Sequence, residues 1–438
     1  MAQSCAARYR ARNPRATPLY RLFETHFDEV RGQWEERFER RCGFWRGFVD
    51  EQVRRYLDCG LFENGFARIR CPNCAEEYLV AFSCKTRELC PSCAAKRSAA
   101  TAALLAEEVF EEVGHAQWVF VMPKMLRPYF LHHRELLGGL AHAAWETVLE
   151  LMCAAAGDEG MRPGMVAVVQ TAGDLANWHP HVHAIVSRGG WTQDGEWIPV
   201  AFADEHSAEL LYRHKVMRLL QDEGLLSDER TELLLSWRHT GFSVHNRVRV
   251  EPEDQPAVER LARYIMRPPI SLERVQWGGE GVVHYRAKGG HDGRTLPVGD
   301  AAEAFDPAEF VARVIMHIPE PRRHLVRYYG WYSNVSRGKR RKAEAENGEV
   351  VDTGAGPASR AARAEARNAR ALRRSWAQLI KRIYEVDPLV CPSCGSEMKV
   401  IAFITEHDVV DAILRHLAKA GARSPRGPPG AATLPATP

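Results

Sequence analysis

No stretch of this chain is both long enough and uncharged enough to cross a bilayer as a helix, so no membrane partner is expected. The best candidate, Leu136 to Ala156, is interrupted by His142, Glu146 and Glu150. The N-terminus carries arginines but no apolar run or cleavage-type site after them, so no secretory segment is read and a cytoplasmic location is expected. In a reducing compartment the 11 cysteines are expected to be metal ligands or core residues, not disulfides. Net charge is small too: +3 over 438 residues means that any nucleic-acid signal must come from where the charge sits. What remains, 45% hydrophobic and 26% charged, is ordinary globular composition with room for two or three compact units.

The cysteines are unevenly placed. Cys71, Cys74, Cys90 and Cys93 follow the pattern C-x2-C-x15-C-x2-C, which predicts a four-thiolate Zn²⁺ site. Such a site is closed and structural, with no coordination position left for substrate. Cys59 and Cys84 lie close by as second-shell or substitute ligands. A further pair, Cys391-Pro392-Ser393-Cys394-Gly395, reads as a zinc knuckle or a plain turn. It has no second pair after it, so a metal there would need His407, His416 or another chain.

Periodicity organises the rest. Residues 19–58 carry apolar and aromatic side chains at helical spacing, including Phe38, Phe44, Trp45, Phe48 and Val53. After the cysteines come Lys96-Arg97 and an alanine-rich helix to about Val113, a strand over Gln117 to Met122, and a long helix to about Ala156. Strands over Met165 to Gln170 and His181 to Ser187, joined by a turn at Ala172 to Ala176, predict an antiparallel sheet carrying helices, an α+β layer. Phe242 to Val250 alternates as a strand, and a helix begins near Pro256. From Ser336 to Arg374 the chain is basic and alanine-rich, and from Ser424 it is rich in proline and alanine, a disorder signature.

Within Trp178-His179-Pro180-His181-Val182-His183 the two last histidines share a strand face while Val182 turns to the other. Residues two apart on a strand are separated by roughly 6.6 Å and residues four apart by roughly 13 Å. His181 and His183 can therefore converge on one ion; His179 cannot join both and is expected to contact substrate or second-shell groups. A third ligand must come from another element, and Gln170 is the nearest candidate.

The helix near Pro256 sharpens this pattern. Val258, Leu261, Ala262 and Ile265 form its apolar stripe, and Tyr264 lies beside that stripe. Arg260 and Arg267 flank the tyrosine one turn either way, placed to hold a phosphate or to lower the phenol's pKa. Further on, Tyr328, Tyr329, Trp331 and Tyr332 offer faces for stacked bases, and Arg337, Lys339, Arg340, Arg341 and Lys342 offer phosphate charge. Arg360, Arg363, Arg367, Arg370 and Arg374 recur at helical spacing as a second basic stripe. Lys96 and Arg97 make the cysteine module a DNA grip rather than a catalyst.

At these residues the chain resembles the rolling-circle insertion-sequence transposases of the IS91 type and their common-region relatives, within the histidine-hydrophobic-histidine (HUH) endonucleases. The resemblance runs from about Tyr56 to about Leu417. Its carriers include Cys71-Pro72-Asn73-Cys74, Cys90-Pro91-Ser92-Cys93, Gln117-Trp118-Val119, His179 to Gly190, Arg263-Tyr264 through Pro268-Pro269-Ile270, His324 to Ser333, and Asp387-Pro388-Leu389-Val390 with Cys391 and Cys394. It implies that His181 and His183 hold Mg²⁺ or Mn²⁺, although imidazole preference alone leans to zinc. It also implies that Tyr264 is the nucleophile that leaves a 5′-phosphotyrosine and a free 3′-hydroxyl. Many of these transposases carry two tyrosines four residues apart, and the upstream position here is Arg260, so the chain resembles the single-tyrosine subgroup. A second cleavage would then need Tyr264 again, a homodimer, or another tyrosine; Tyr328 and Tyr332 also stand four apart, but are expected to be structural or DNA-stacking residues.

The expected division is a helical region at 1–58, a zinc module at 59–100, a nuclease domain at 101–335, a basic linker and helix at 336–372, a helical region with the last cysteine pair at 373–423, and a tail at 424–438. The expected partners are single-stranded DNA at element ends and target DNA, in a nucleoid-associated protein. A plasmid replication initiator or relaxase shares the chemistry, but the double cysteine module ahead of the histidine strand argues against it. A non-catalytic zinc-dependent regulator is the alternative from another class. A zinc hydrolase is disfavoured because no HExxH helix accompanies the histidines.

Overall fold

The computed structural model describes residues 13–201, 203–287, 302–347 and 390–419. Thr17 opens the first long helix, Pro18–Gly32: its side chain accepts the Tyr20 N–H, and Pro18 takes the first helical position, where a missing N–H costs nothing. Leu22, Phe23 and Val30 of this helix pack with Val49, Val53 and Tyr56 of helix Phe48–Leu57. The same core takes in Phe310, Val311 and Val314 of helix Pro307–Met316, a joining of distant segments that periodicity does not show.

Along the chain follow β1 (Phe66–Arg70), β2 (Glu77–Ala81), β3 (His115–Val121), β4 (Arg162–Ala172), β5 (Trp178–Trp191), β6 (Trp197–Pro199) and β7 (Ser243–Val250). Then come β8 (Val275–Gln276), β9 (Val283–Arg286), β10 (Ala302–Phe305), β11 (Val326–Gly330) and β12 (Lys399–Ile404). They form three antiparallel sheets: β12-β1-β2, β10-β9-β8, and a large sheet in the order β11-β4-β5-β3-β7 with β6 added to β5. This is the α+β architecture expected, with β5 at the centre of the large sheet.

The two faces of that sheet differ in what covers them. Val182, Ala184 and Val186 join Ala116, Trp118 and Phe120 beneath helices Leu137–Ala156 and Glu205–Asp222. On the opposite face Val166, Val168 and Ile185 lie beneath Val258, Leu261, Ala262 and Ile265 of helix Gln255–Ile265. Ala102 and Leu105, at the end of helix Pro91–Leu104, belong to this second core. Each fully buried aliphatic side chain contributes roughly 1.5–3 kcal/mol, so the helix bearing Tyr264 is held in position by its apolar stripe. No helix among the described residues is long and apolar enough to cross a membrane.

The turn between β4 and β5 sets where β5 begins. A Cβ on Gly173 would sit 2.8 Å from His179 Cβ, so only glycine allows this close approach. Leu175 and Ala176 both adopt φ of 54°, an unfavourable value that outside contacts must offset. His317 Nε2–H donates to the Ala176 carbonyl at 3.0 Å, and the Thr171 hydroxyl donates to His317 Nδ1 at 3.0 Å. Trp178 stacks on the same imidazole at 6.0 Å.

Burial pushes His317 down to about 3 and His115 down to about 4. Both rings are therefore neutral in the fold, and the unfolded chain binds more protons below the ordinary histidine value of about 6.5. Stability is expected to be full above that value and to fall as pH drops towards 4, by up to about 1.4 kcal/mol per pH unit for each ring. Denaturant melts of the wild type and His317→Gln across this range check it; equal slopes would remove His317 from the account.

Candidate functional site

β5 brings His181 and His183 onto one face with ring centroids 4.9 Å apart, while Val182 is fully buried on the other. His181 Nδ1–H donates to the His179 carbonyl at 2.6 Å, which leaves the lone pair of the neutral ring on Nε2, the atom a metal would take. The second-shell role foreseen for His179 thus falls to its backbone oxygen.

His183 is buried and has a partner that the sequence reading missed. The side-chain amide of Gln117, on neighbouring β3, has its nitrogen 3.1 Å from His183 Nδ1. Amide nitrogen and oxygen are interchangeable by a half-turn; with the oxygen inward, Gln117 accepts Nδ1–H and leaves Nε2 as the donor atom for an ion. The signal was the alternation of β3, which puts Gln117 on the histidine face.

Tyr264 arrives from helix Gln255–Ile265, and its ring meets His183 edge to face at 5.7 Å. The residue is 37% exposed, so the side chain is open to solvent in part. Arg267 lies over the tyrosine ring with its guanidinium carbon 3.8 Å from the centroid, as a flanking cation should. Arg260 is instead exposed, 3.8 Å from Asp254. Gln170 stands opposite His181 in the β4-β5 register, and its Nε2 donates to the Ile265 carbonyl at 2.8 Å. That bond ties the tyrosine helix to the sheet and commits the amide nitrogen, so the oxygen is the atom a hard cation would find.

The cysteines pair differently from the expectation. Cys71 and Cys74 do not join Cys90 and Cys93; Cys59, Cys84, Cys90 and Cys93 form one group, and Cys71 and Cys74 meet Cys391 and Cys394 in another. The reason is tertiary: β1 and β2 carry the first knuckle to β12, while the loop after β2 brings Cys84 back beside Cys59. Nor do His407 or His416 complete the last pair. In the first group, Sγ distances are 3.7 Å for Cys59–Cys93, 3.6 Å for Cys84–Cys93 and 3.7 Å for Cys59–Cys90. Four thiolates at about 2.3 Å from a tetrahedral zinc lie about 3.8 Å apart, so the group fits that ion.

The aromatic-basic cluster also needs correcting. Tyr332 is fully buried, with its hydroxyl 2.8 Å from His115 Nε2, and burial raises its pKa. It offers neither a stacking face nor a nucleophile. Tyr329 stacks on Trp145 at 5.5 Å and Trp331 on Trp191 at 4.8 Å, while the Arg337 guanidinium lies over Tyr328. Arg340 pairs with Glu111 and Arg341 with Glu108; Lys339 is exposed. These residues brace β11 and the helix after it. The stripe from Arg360 to Arg374 lies outside the described residues.

Cationic side chains gather elsewhere, beside the tyrosine. A furrow lined by Gln170, Arg267, Arg323 and His324 continues past Lys85 and Arg97 of the cysteine module. Arg97 donates to the Lys85 carbonyl at 3.0 Å, and Arg87 to the Glu320 carbonyl at 2.5 Å and to that of Arg323, which fixes the wall of this furrow. Lys96 stands on the same helix as Arg97, one residue before it.

Residues 164–340 match the family described as "Putative transposase", and residues 29–122 match the "Transposase zinc-binding domain". The chain is 26% identical over 390 residues to the transposase for insertion sequence element IS801 of Pseudomonas savastanoi pv. phaseolicola, spanning 83% of this chain and 86% of that protein. It is 27% identical over 284 residues to "Putative transposase y4qJ" of Sinorhizobium fredii, spanning 60% of this chain and 69% of that one. No solved structure matches. These matches define a DNA-processing transposase with a zinc-binding domain at its N-terminal side. The chain belongs to the IS91-type transposases.

Proposed function

We propose that this transposase moves its element by a rolling-circle, single-strand route in which Tyr264 cuts DNA covalently. The observation that carries the reading is the meeting of His181, His183 and Tyr264 at one face of the large sheet, with the tyrosine presented to solvent. Arg267 and the furrow beyond it would hold the strand by its phosphates, with Arg97, Lys85 and Arg323 extending the track towards the zinc module. The Tyr264 phenol oxygen attacks the scissile phosphorus as its proton passes to solvent. The phosphorus–O3′ bond breaks, and O3′ leaves as a hydroxyl after taking a proton from water. The product is a 5′-phosphotyrosine that keeps the phosphodiester's bond energy, so a 3′-hydroxyl can reverse the step and rejoin strands without ATP.

A divalent cation on His181, His183 and the Gln170 oxygen, Mg²⁺ or Mn²⁺ as the resemblance implies, would polarise the phosphate and stabilise charge on its oxygens. With one tyrosine on this helix, the second cleavage falls to Tyr264 again or to that of a second copy of the chain.

The test is to incubate the protein with single-stranded DNA carrying the element's end, with and without Mn²⁺. A denaturation-resistant adduct on the peptide containing Tyr264 is expected only with the ion; its absence under all conditions would leave a DNA-binding regulator as the better reading. The same assay checks Gln117. Gln117→Leu should raise the Mn²⁺ concentration for half-maximal cleavage by about 10–100-fold, and Gln117→Glu should recover most of it. Unchanged ion dependence in the Leu variant would make Gln117 a packing residue only.

A further inference from the structure

Cys71, Cys74, Cys391 and Cys394 form a second thiolate group whose members come from opposite ends of the described chain. Cys71 Sγ lies 3.5 Å from Cys394 Sγ and Cys74 Sγ 3.4 Å from Cys391 Sγ. A disulfide would need about 2.05 Å, whereas thiolates on one tetrahedral zinc stand about 3.8 Å apart. The distances therefore point to a shared ion rather than to two sulfur–sulfur bonds.

The backbone around the two pairs is duplicated. In Cys71-Pro72-Asn73-Cys74-Ala75, the Cys71 N–H donates to Glu76 at 2.8 Å and the Ala75 N–H donates back to Cys71 at 3.1 Å. In Cys391-Pro392-Ser393-Cys394-Gly395, the Cys391 N–H donates to Ser396 at 2.9 Å and the Gly395 N–H to Cys391 at 2.8 Å. Ala75 and Gly395, each just after the second cysteine, take φ of 61° and 72°. Two knuckles of one shape thus face each other, linked by the Asn73 amide to the Ser396 hydroxyl at 3.3 Å. Beneath them Ile69, Val80 and Met398 form a small core, and every residue of β1 pairs with β12 across a one-residue bulge at Ile401.

We propose that these four cysteines bind a second zinc ion, and that this ion closes a ribbon whose two halves are separated by the entire nuclease region. The zinc-binding family match ends at residue 122 and so holds only the first half of it. The site is set apart from the first by exposure: Cys59, Cys84, Cys90 and Cys93 are all buried, whereas Cys74 and Cys394 are exposed. With no open position on the metal, its role is to fasten residues 390–419 onto the N-terminal module. The cores under β1 and β12 are small, so a shared ion would add substantially to what holds that segment.

The experiment is a zinc count on the full chain by native mass spectrometry, alongside a Co²⁺-substituted sample read by its thiolate charge-transfer absorption. The wild type should carry two ions per chain, and Cys391→Ser/Cys394→Ser one, with about half the charge-transfer intensity. Cys59→Ser/Cys93→Ser, if it remains soluble, should also retain one ion, now bound by the ribbon. Limited proteolysis should release the segment after residue 390 from the Cys391→Ser/Cys394→Ser protein and not from the wild type. One ion in the wild type, or two in the Cys391→Ser/Cys394→Ser protein, would overturn the proposal.

Discussion

Tyr264→Phe is expected to abolish the covalent protein–DNA adduct while leaving strand binding within about twofold of the wild type. The substitution removes one oxygen and keeps the ring, so the edge contact with His183 and the Arg267 cation over the face both survive. Removing a nucleophile costs on the order of 10⁴-fold or more in turnover. Tyr332 is buried against His115, and Tyr328 lies on β11 under Arg337, so neither stands at the histidines to replace it. Adduct formation by the Phe variant, mapped to any other residue, would move the nucleophile and with it the reading of β5.

Loss of the buried thiolate group is the other large effect, and it should reach the tyrosine from a distance. Cys90 occupies the N-cap position of helix Pro91–Leu104 and Cys93 lies in its first turn, so an ion held by the group would fix the start of that helix. The same helix packs on the tyrosine helix, where the Ser98 hydroxyl donates to the Arg263 carbonyl at 3.3 Å. Structural zinc contributes about 10–16 kcal/mol of folding free energy, comparable with the entire stability of a domain. Cys93→Ser should therefore lose its ion, raise amide exchange in 91–104 and 255–265 together, and depress strand cleavage by at least tenfold. Cys153→Ser, outside both groups, should do none of these. A Cys93→Ser protein that has lost this ion and still cleaves normally would separate the module from the site.

The parts of this molecule legible in sequence were those written in local periodicity. β5 showed its histidine face because side chains alternate, and the tyrosine helix showed its stripe at three and four residues. Each C-x2-C was legible because a knuckle is one turn long. Which knuckle joins which was not, because that is decided by strand pairing across hundreds of residues, Phe66 against Ile404 among them. Gln117 escaped for a related reason: its meaning depends on the register that sets β3 beside β5. The aromatic run at 328–332 misled because its basic neighbours suggested an exposed surface, whereas Glu108 and Glu111 neutralise two of those arginines in the fold.

β1 lies between β2 and β12, and this has a consequence for how the protein comes into being. A ribosome makes β1 early and β12 more than three hundred residues later. Throughout that interval one side of β1 has donors and acceptors facing no strand, an invitation to pair with a neighbouring nascent chain. Any product terminated before β12 keeps that open edge for good. Full-length synthesis is thus what separates a finished transposase from a fragment prone to aggregate.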